Sequence, residues 1–259
     1  MSPVKASPTA RERARAELTR EIKEEARRQL AETGAPGLSL RAVARELGMV
    51  SSALYRYFPS RDDLLTALII DAYDAMGEVA EAAIAAGASP RGRWLAACHA
   101  IRGWALAHPH EYALIYGSPV PGYRAPQATV GPASRMPLAF MGVLRDAVAS
   151  GAMASDGAAS GEVPAVPAMP AGDGARLGRL LADQAAAIVA ALTDNLSAPA
   201  GPDAPSVPPE VVVRAVIAWT QLFGMISFEL FGQFVESFEP ADALFDYAVA
   251  QLAAFVGLE

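Results

Sequence analysis

The stretch Leu38–Arg61, LSLRAVARELGMVSSALYRYFPSR, is the part of the chain with the fewest structural options. Its apolar residues Leu40, Val43, Ala44 and Leu47 recur at helical spacing and predict a short amphipathic helix. Ser39 stands where an N-cap belongs, because its hydroxyl can accept from a free N–H of the first turn. Gly48 follows Leu47 and can take the left-handed conformation that stops a helix. A second short helix begins near Ser51 or Ser52 and carries Ala53, Leu54, Tyr55, Arg56, Tyr57 and Phe58, and Pro59 ends it. Two short helices joined by a glycine-containing turn form the helix-turn-helix pattern.

The flanks are also helical. A helix is predicted from about Thr9 to Thr33, with Ala14, Leu18, Ile22, Ala26 and Leu30 on one line and Arg and Glu at i,i+4 spacing opposite. Residues 1–8 read as loose, and Gly34, Pro36 and Gly37 break the chain before the motif. Ser60 and Asp63 form a capping box for a long helix reaching about Ala86, which would link a head to a body. Further helices are expected over 91–108, 110–116, 133–149, 175–196, 209–235 and 240–256. A Pro/Gly-rich loop spans Gly117–Pro132, a low-complexity, mobile loop 150–174, and a Pro-rich break Ser197–Pro209. No strand pattern appears, so the fold class is all-α: a three-helix helix-turn-helix domain over 1–62 and a helical bundle over 63–259.

Net charge is −7, which taken alone argues against a nucleic-acid partner. The distribution argues the other way. Residues 1–61 hold 12 Lys+Arg against 7 Asp+Glu, and residues 62–259 hold 9 against 21. A basic head on an acidic body suits a protein that turns one face to phosphate. Cys98 is the one cysteine, so no intrachain disulfide can form, which fits a reducing compartment. The N-terminus lacks the apolar core of a signal peptide. The most apolar stretch, Val211–Phe234, is interrupted by Arg214, Gln221 and Glu229, and reads as no membrane span. Localisation is therefore expected to be cytoplasmic. Heavy use of Ala, Gly and Pro, with Arg preferred over Lys, suggests a GC-rich bacterial genome by association.

Leu40-Arg41-Ala42-Val43-Ala44, Leu47-Gly48 and the run Ser51 to Leu65, SSALYRYFPSRDDLL, resemble the DNA-binding domain of TetR-family transcriptional regulators. Arg61 stands where Lys is more usual, with the charge kept. In the body, His108-Pro109-His110-Glu111-Tyr112-Ala113-Leu114-Ile115-Tyr116 with Ser118–Tyr123, and Trp219-Thr220-Gln221-Leu222-Phe223-Gly224, look like family members with a WHG-type C-terminal domain, Phe223 replacing the usual His.

The motif and the resemblance together imply double-stranded operator DNA as a partner. The first residues of the second helix, Ser51, Ser52 and Ala53, would meet base edges. Arg41 could reach a guanine or a phosphate. By resemblance Tyr55 and Tyr57 would touch backbone or thymine and Arg61 a phosphate, with Ser39 also in the candidate set, while Leu54 and Phe58 are core. The helix from Pro209 to Val235 is apolar nearly all round and needs cover on both sides. A symmetric homodimer supplies it, with Gly224, Ser227, Phe228, Phe231 and Gly232 at the interface. A pocket for an apolar or aromatic small-molecule effector would be lined by Trp94, Cys98, Trp104, Tyr112, Tyr116, Met136, Phe140, Met141 and Trp219, each of which also reads as plain core.

The expected function is a homodimeric repressor released from a palindromic operator by such a ligand. The alternatives are a DNA-binding protein that senses nothing and an activator. An enzyme is not expected: no phosphate loop, G-x-S-x-G elbow or H-E-x-x-H occurs. Cys98 sits on an apolar helical face and reads as a small core residue. His99, His108 and His110 match no standard zinc spacing, so neither metal nor other cofactor is expected.

Overall fold

The computed structural model describes residues 9–153, 207–258 and, between them, 180–181, 183–188 and 190. Residues 1–8, most of the expected loop 150–174, and much of the expected helix 175–196 and of the Pro-rich break after it lie outside the described residues. The described chain is all helical, without a strand; one isolated bridge pairs Met153 with Leu258. The helices are α1 (Ala10–Gly37), α2 (Leu40–Glu46), α3 (Ser51–Leu54), α4 (Arg61–Ala86), α5 (Pro90–Ala107), α6 (Pro109–Tyr116), α7 (Val130–Ser150), α8 (Pro209–Leu230) and α9 (Asp242–Phe255). The stretch 180–190 is helical where it is described. The chain divides into two compact units. The first holds residues 1–73 and 108–129, the second 74–107 and 130–259, so the division falls inside α4.

In the first unit, α1 starts on a capping box. Thr9 Oγ1 accepts from Glu12 N at 3.2 Å, and the Glu12 carboxylate accepts from Thr9 N at 2.7 Å. Gly34, at φ +68°, kinks the helix just before Pro36. Ser39 caps α2 through Ala42 N at 3.4 Å. Gly48 follows with φ +65°, and a Cβ there would meet nothing within 4 Å, so conformation alone asks for glycine. α3 keeps α-helical bonding only to Leu54; Tyr55 to Phe58 close it in tight turns, shorter than the continuous helix expected. Ser60 Oγ accepts from Asp63 N at 3.1 Å and donates to the Asp63 carboxylate at 2.7 Å, so the hydroxyl half of the expected capping box is present. Ile22, Ala26, Val43, Leu54, Leu64 and Leu65 form the centre of the core.

α6 belongs to this first unit. It packs on α1, with Leu114 and Ile115 against the core and Tyr112 fully buried. Tyr123, beyond it, shares a 2.8 Å hydrogen bond with Thr66 of α4.

The second unit is built round α5, which contacts α7, α8 and α9. α8 ends at Leu230 rather than Val235, and the turn after it contains Gly232 at φ +77°. By length and composition α8 would suffice to cross a membrane. Here one side of it carries the buried Val212, Ala218, Leu222 and Ile226, and its Glu229 is paired with Arg102.

Candidate nucleic-acid interface and ligand cavity

Within the first unit, α2 and α3 hold their candidate contacts outward because their other faces are core. Leu40, Val43, Ala44, Leu54 and Phe58 are buried, and this leaves Arg41, Ser52 and Tyr55 exposed, with Ser51 and Ala53 half-buried. Ser39 is half-buried and its hydroxyl caps α2. Tyr57 is half-buried, with the Arg15 guanidinium 5.2 Å from its ring centroid.

Arg61 is held by backbone carbonyls. Its Nε donates to the carbonyl oxygen of Leu38 at 3.1 Å and its Nη2 to that of Ala35 at 2.6 Å. It closes the exposed carbonyl end of α1, where a cation is favoured. Two of its nitrogens, Nε and Nη2, therefore face protein carbonyls, and Nη1 lies 3.6 Å from the Asp62 carboxylate.

Residues beyond the candidate set share this face. Val50, immediately before α3, is 71% exposed, and the Arg45 and Arg56 side chains are also exposed. An exposed β-branched residue beside Ser51 is the signal that could have singled out Val50, since alkyl groups there can meet a thymine methyl.

The second unit contains a cavity of about 200 Å³ between α5, α7, α8 and the 180–190 stretch. Trp94, Phe140, Met141 and Trp219 of the candidate set line it, joined by Pro137, Ile188, Val212, Ala215, Val216 and Leu222. The aromatic rings touch in series: Trp94 and Phe140 edge to face at 4.7 Å, Phe140 and Trp219 at 5.9 Å, Trp219 and Phe223 at 4.6 Å.

Five expected lining residues stand elsewhere. Cys98 and Met136 are buried in the helix packing of the second unit, and Trp104 is buried off the cavity wall. Burial pushes the Cys98 thiol well above its usual range, which leaves it inert as a nucleophile. Tyr112 and Tyr116 belong to the first unit, where Tyr116 sits 5.3 Å from Tyr112 and 6.3 Å from Tyr73. Burial raises the Tyr116 hydroxyl too, with the neighbouring tyrosines adding to the shift. Both were expected in the pocket because helical spacing alone cannot say which unit a buried aromatic faces.

Of the candidate interface residues, Phe228 is 54% and Phe231 48% exposed, Gly232 is exposed, and Gly224 and Ser227 are half-buried. Val216, Ile217 and Tyr247 add exposed apolar surface on α8 and α9. Among the described residues, no group of three or more His, Cys, Asp and Glu side chains is placed to hold a metal.

Residues 22–68 match the family profile described as bacterial regulatory proteins, tetR family, and residues 94–252 that described as tetracyclin repressor-like, C-terminal domain. The chain is 38% identical over 226 residues to the HTH-type transcriptional regulator Rv1816 of Mycobacterium tuberculosis, covering 85% of this chain and 84% of the relative. The HTH-type transcriptional regulator Mb1846 of Mycobacterium bovis matches to the same extent. Among solved structures, that of SCO4313 is 36% identical with a TM-score of 0.66, covering 95% of this chain and all of that one.

Proposed function

Since the chain belongs to the TetR family of transcriptional regulators, we propose that it is a cytoplasmic homodimeric repressor which leaves its operator when an apolar small molecule enters the second unit. A DNA-binding regulator rather than an enzyme is the common ground of the matched family and relatives. The finer reading rests on one observation above others: the face of α2 and α3 that carries Arg41, Val50, Ser52 and Tyr55 is solvent-exposed over a closed apolar core.

In this reading Ser51, Ser52 and Ala53 meet base edges, with Val50 beside them, and Arg41 and Tyr55 reach the backbone. Ser39 and Tyr57 support the contact surface from half-buried positions. Exposed Phe228 and Phe231, beside Gly224, Ser227 and Gly232, supply an apolar surface for a second copy. Two heads related by a two-fold axis would read half-sites about 34–36 Å apart, so the operator is a short imperfect palindrome. The cavity, walled by Trp94, Phe140, Met141 and Trp219, is the effector site. A ligand there releases DNA only if it binds the DNA-free state better than the DNA-bound one.

A gel-shift with the DNA upstream of the protein's own gene tests the proposal, with and without a panel of apolar compounds. A shifted band that a compound abolishes supports ligand release. A shift that no compound touches removes the effector from the reading, and no shift at low salt removes the operator.

A further inference from the structure

We infer that the first turns of α1 carry a further DNA contact, in which Arg11 and Arg15 hold backbone phosphates beside the groove that α3 enters. This deepens, and rests on, the reading of α2 and α3 as the operator-binding face.

α1 outruns the core that supports it. Its first buried residue is Ile22, and residues 9–17 are all exposed. At 1.5 Å per residue, the turns ahead of Leu18 extend about 12 Å past the packed part of the helix. A helix turns about 100° per residue, so Arg15 and Arg11 come within about 20° of Ile22 round the axis. The line that is buried in the core at Ile22 therefore continues beyond it as two arginines. Arg13 lies on the opposite side of the same turns.

Contact with the motif fixes where that line faces. The Arg15 guanidinium stands over the Tyr57 ring, 5.2 Å from its centroid, and Tyr57 belongs to the tight turns that close α3. A guanidinium held over a ring face keeps the N–H groups of its edge free to donate elsewhere. Arg15 thus stands at the border of the α2–α3 face, and Arg11 is one turn, about 6 Å, farther out along α1.

Pairing separates these arginines from the later cations of α1. Arg20, Lys23, Arg27 and Arg28 each hold a carboxylate at 2.7 Å or less. Among the described residues, Arg11, Arg13 and Arg15 hold none. The acids of the same turns are engaged as well: Glu12 accepts from the Thr9 N–H, and Glu17 pairs with Arg20. An exposed, unpaired guanidinium fits a phosphate with two N–H groups and gives up no existing ion pair to do so. Phosphates are also the acceptors that line the edges of an occupied groove.

The test is binding of the full-length protein to the DNA upstream of its own gene, followed by fluorescence anisotropy across a salt series. Arg11→Gln and Arg15→Gln should each lower the slope of log affinity against log salt by about 0.9 per bound head. At about 0.1 M salt each should weaken binding roughly eightfold per bound head. Arg13→Gln removes the same charge from the opposite side of the helix and should leave the slope unchanged. All three side chains are exposed, and each variant should melt with the unaltered protein.

A slope that neither Arg11→Gln nor Arg15→Gln lowers overturns the inference and leaves the α2–α3 face standing. An equal drop in Arg13→Gln assigns the effect to net charge rather than to one face of α1, and overturns it too. No binding by the unaltered protein at low salt overturns the operator reading and the inference with it.

Discussion

Arg61 holds the backbone of Leu38: its Nε donates to the Leu38 carbonyl oxygen at 3.1 Å, while Nη2 reaches Ala35. The first residue of α4 thereby fixes the end of α1 and the entry to α2. Arg61→Ala should cost about 1–2 kcal/mol of stability, the usual scale of charged hydrogen bonds at a half-exposed site. DNA affinity should fall uniformly across sequences, since α2 and α3 lose their support. The dependence of affinity on salt should keep its slope. A phosphate-contacting arginine would instead lower that slope by about 1, so binding measured across a salt series, beside a melting curve, separates the two roles.

Val50 should act on specificity alone. It is exposed, packs on no core and caps α3 without a side-chain bond, so Val50→Ala should leave the melting temperature unchanged. It should weaken binding to the operator by about 1 kcal/mol at a single base position, the lower end of a mismatch penalty. Binding to operators with each position varied in turn reads this out. A uniform loss at every position would refute it.

Arg102 joins three helices of the second unit. Its Nε and Nη2 donate to the two carboxylate oxygens of Glu229 at 2.7 and 2.6 Å, Nη1 donates to Asp242 at 2.8 Å, and its guanidinium lies 4.9 Å from the Phe245 ring centroid. The Arg102 and Glu229 side chains are mostly buried. Arg102→Ala strands Glu229 and should destabilise by about 3–5 kcal/mol. Arg102→Ala combined with Glu229→Ala removes both charges and should recover part of that loss, as denaturant titration would show.

The Asp242 end of the cluster gives a pH dependence. Hydrogen bonding to Arg102 holds the Asp242 carboxyl below its ordinary value of 3.8. A carboxylate depressed in the folded state contributes stability above its unfolded value and loses it as pH falls through the folded value. The melting temperature of Asp242→Asn should therefore lie below that of the unaltered protein at about pH 6, and the gap should narrow as pH falls below 3.8. A gap that persists in acid would place the effect on something other than this carboxylate.

What could be read from the sequence was what is local. Ser39, Gly48, the Ser60 cap and the apolar spacing of α2 and α4 act within a turn or two of the chain, and each appears where its chemistry placed it. What could not be read was pairing over distance. Arg61 and Ala35 are far apart in sequence, so the resemblance that offered Arg61 to a phosphate could not report its bond to the Ala35 carbonyl. Tyr112 and Tyr116 follow α5 directly, yet α6 packs on α1, and no periodicity within eight residues reports which partner a helix finds. The cavity was half legible for the same reason. Trp94, Phe140, Met141 and Trp219 were recoverable as large apolar residues on facing helices, whereas Cys98 and Met136 have the same character and face the packing instead.

The apolar surface at the end of α8 carries the last prediction. Phe228 and Phe231 are about half exposed in the single chain, and Phe228 contacts the ring of Phe234 at 5.9 Å. Substituting an exposed residue costs a monomer little, commonly within about 0.5 kcal/mol. Burying it against a second copy would make the same change expensive, because a charge placed in a desolvated apolar interface has no partner. Phe231→Glu should therefore leave helical content and the cavity's ligand affinity unchanged while shifting sedimentation from dimer to monomer. Affinity for a palindromic operator should drop at least about a hundredfold, because one head alone keeps only half of the contacts. A variant that sediments as a dimer and binds the palindrome normally would place the interface on another surface.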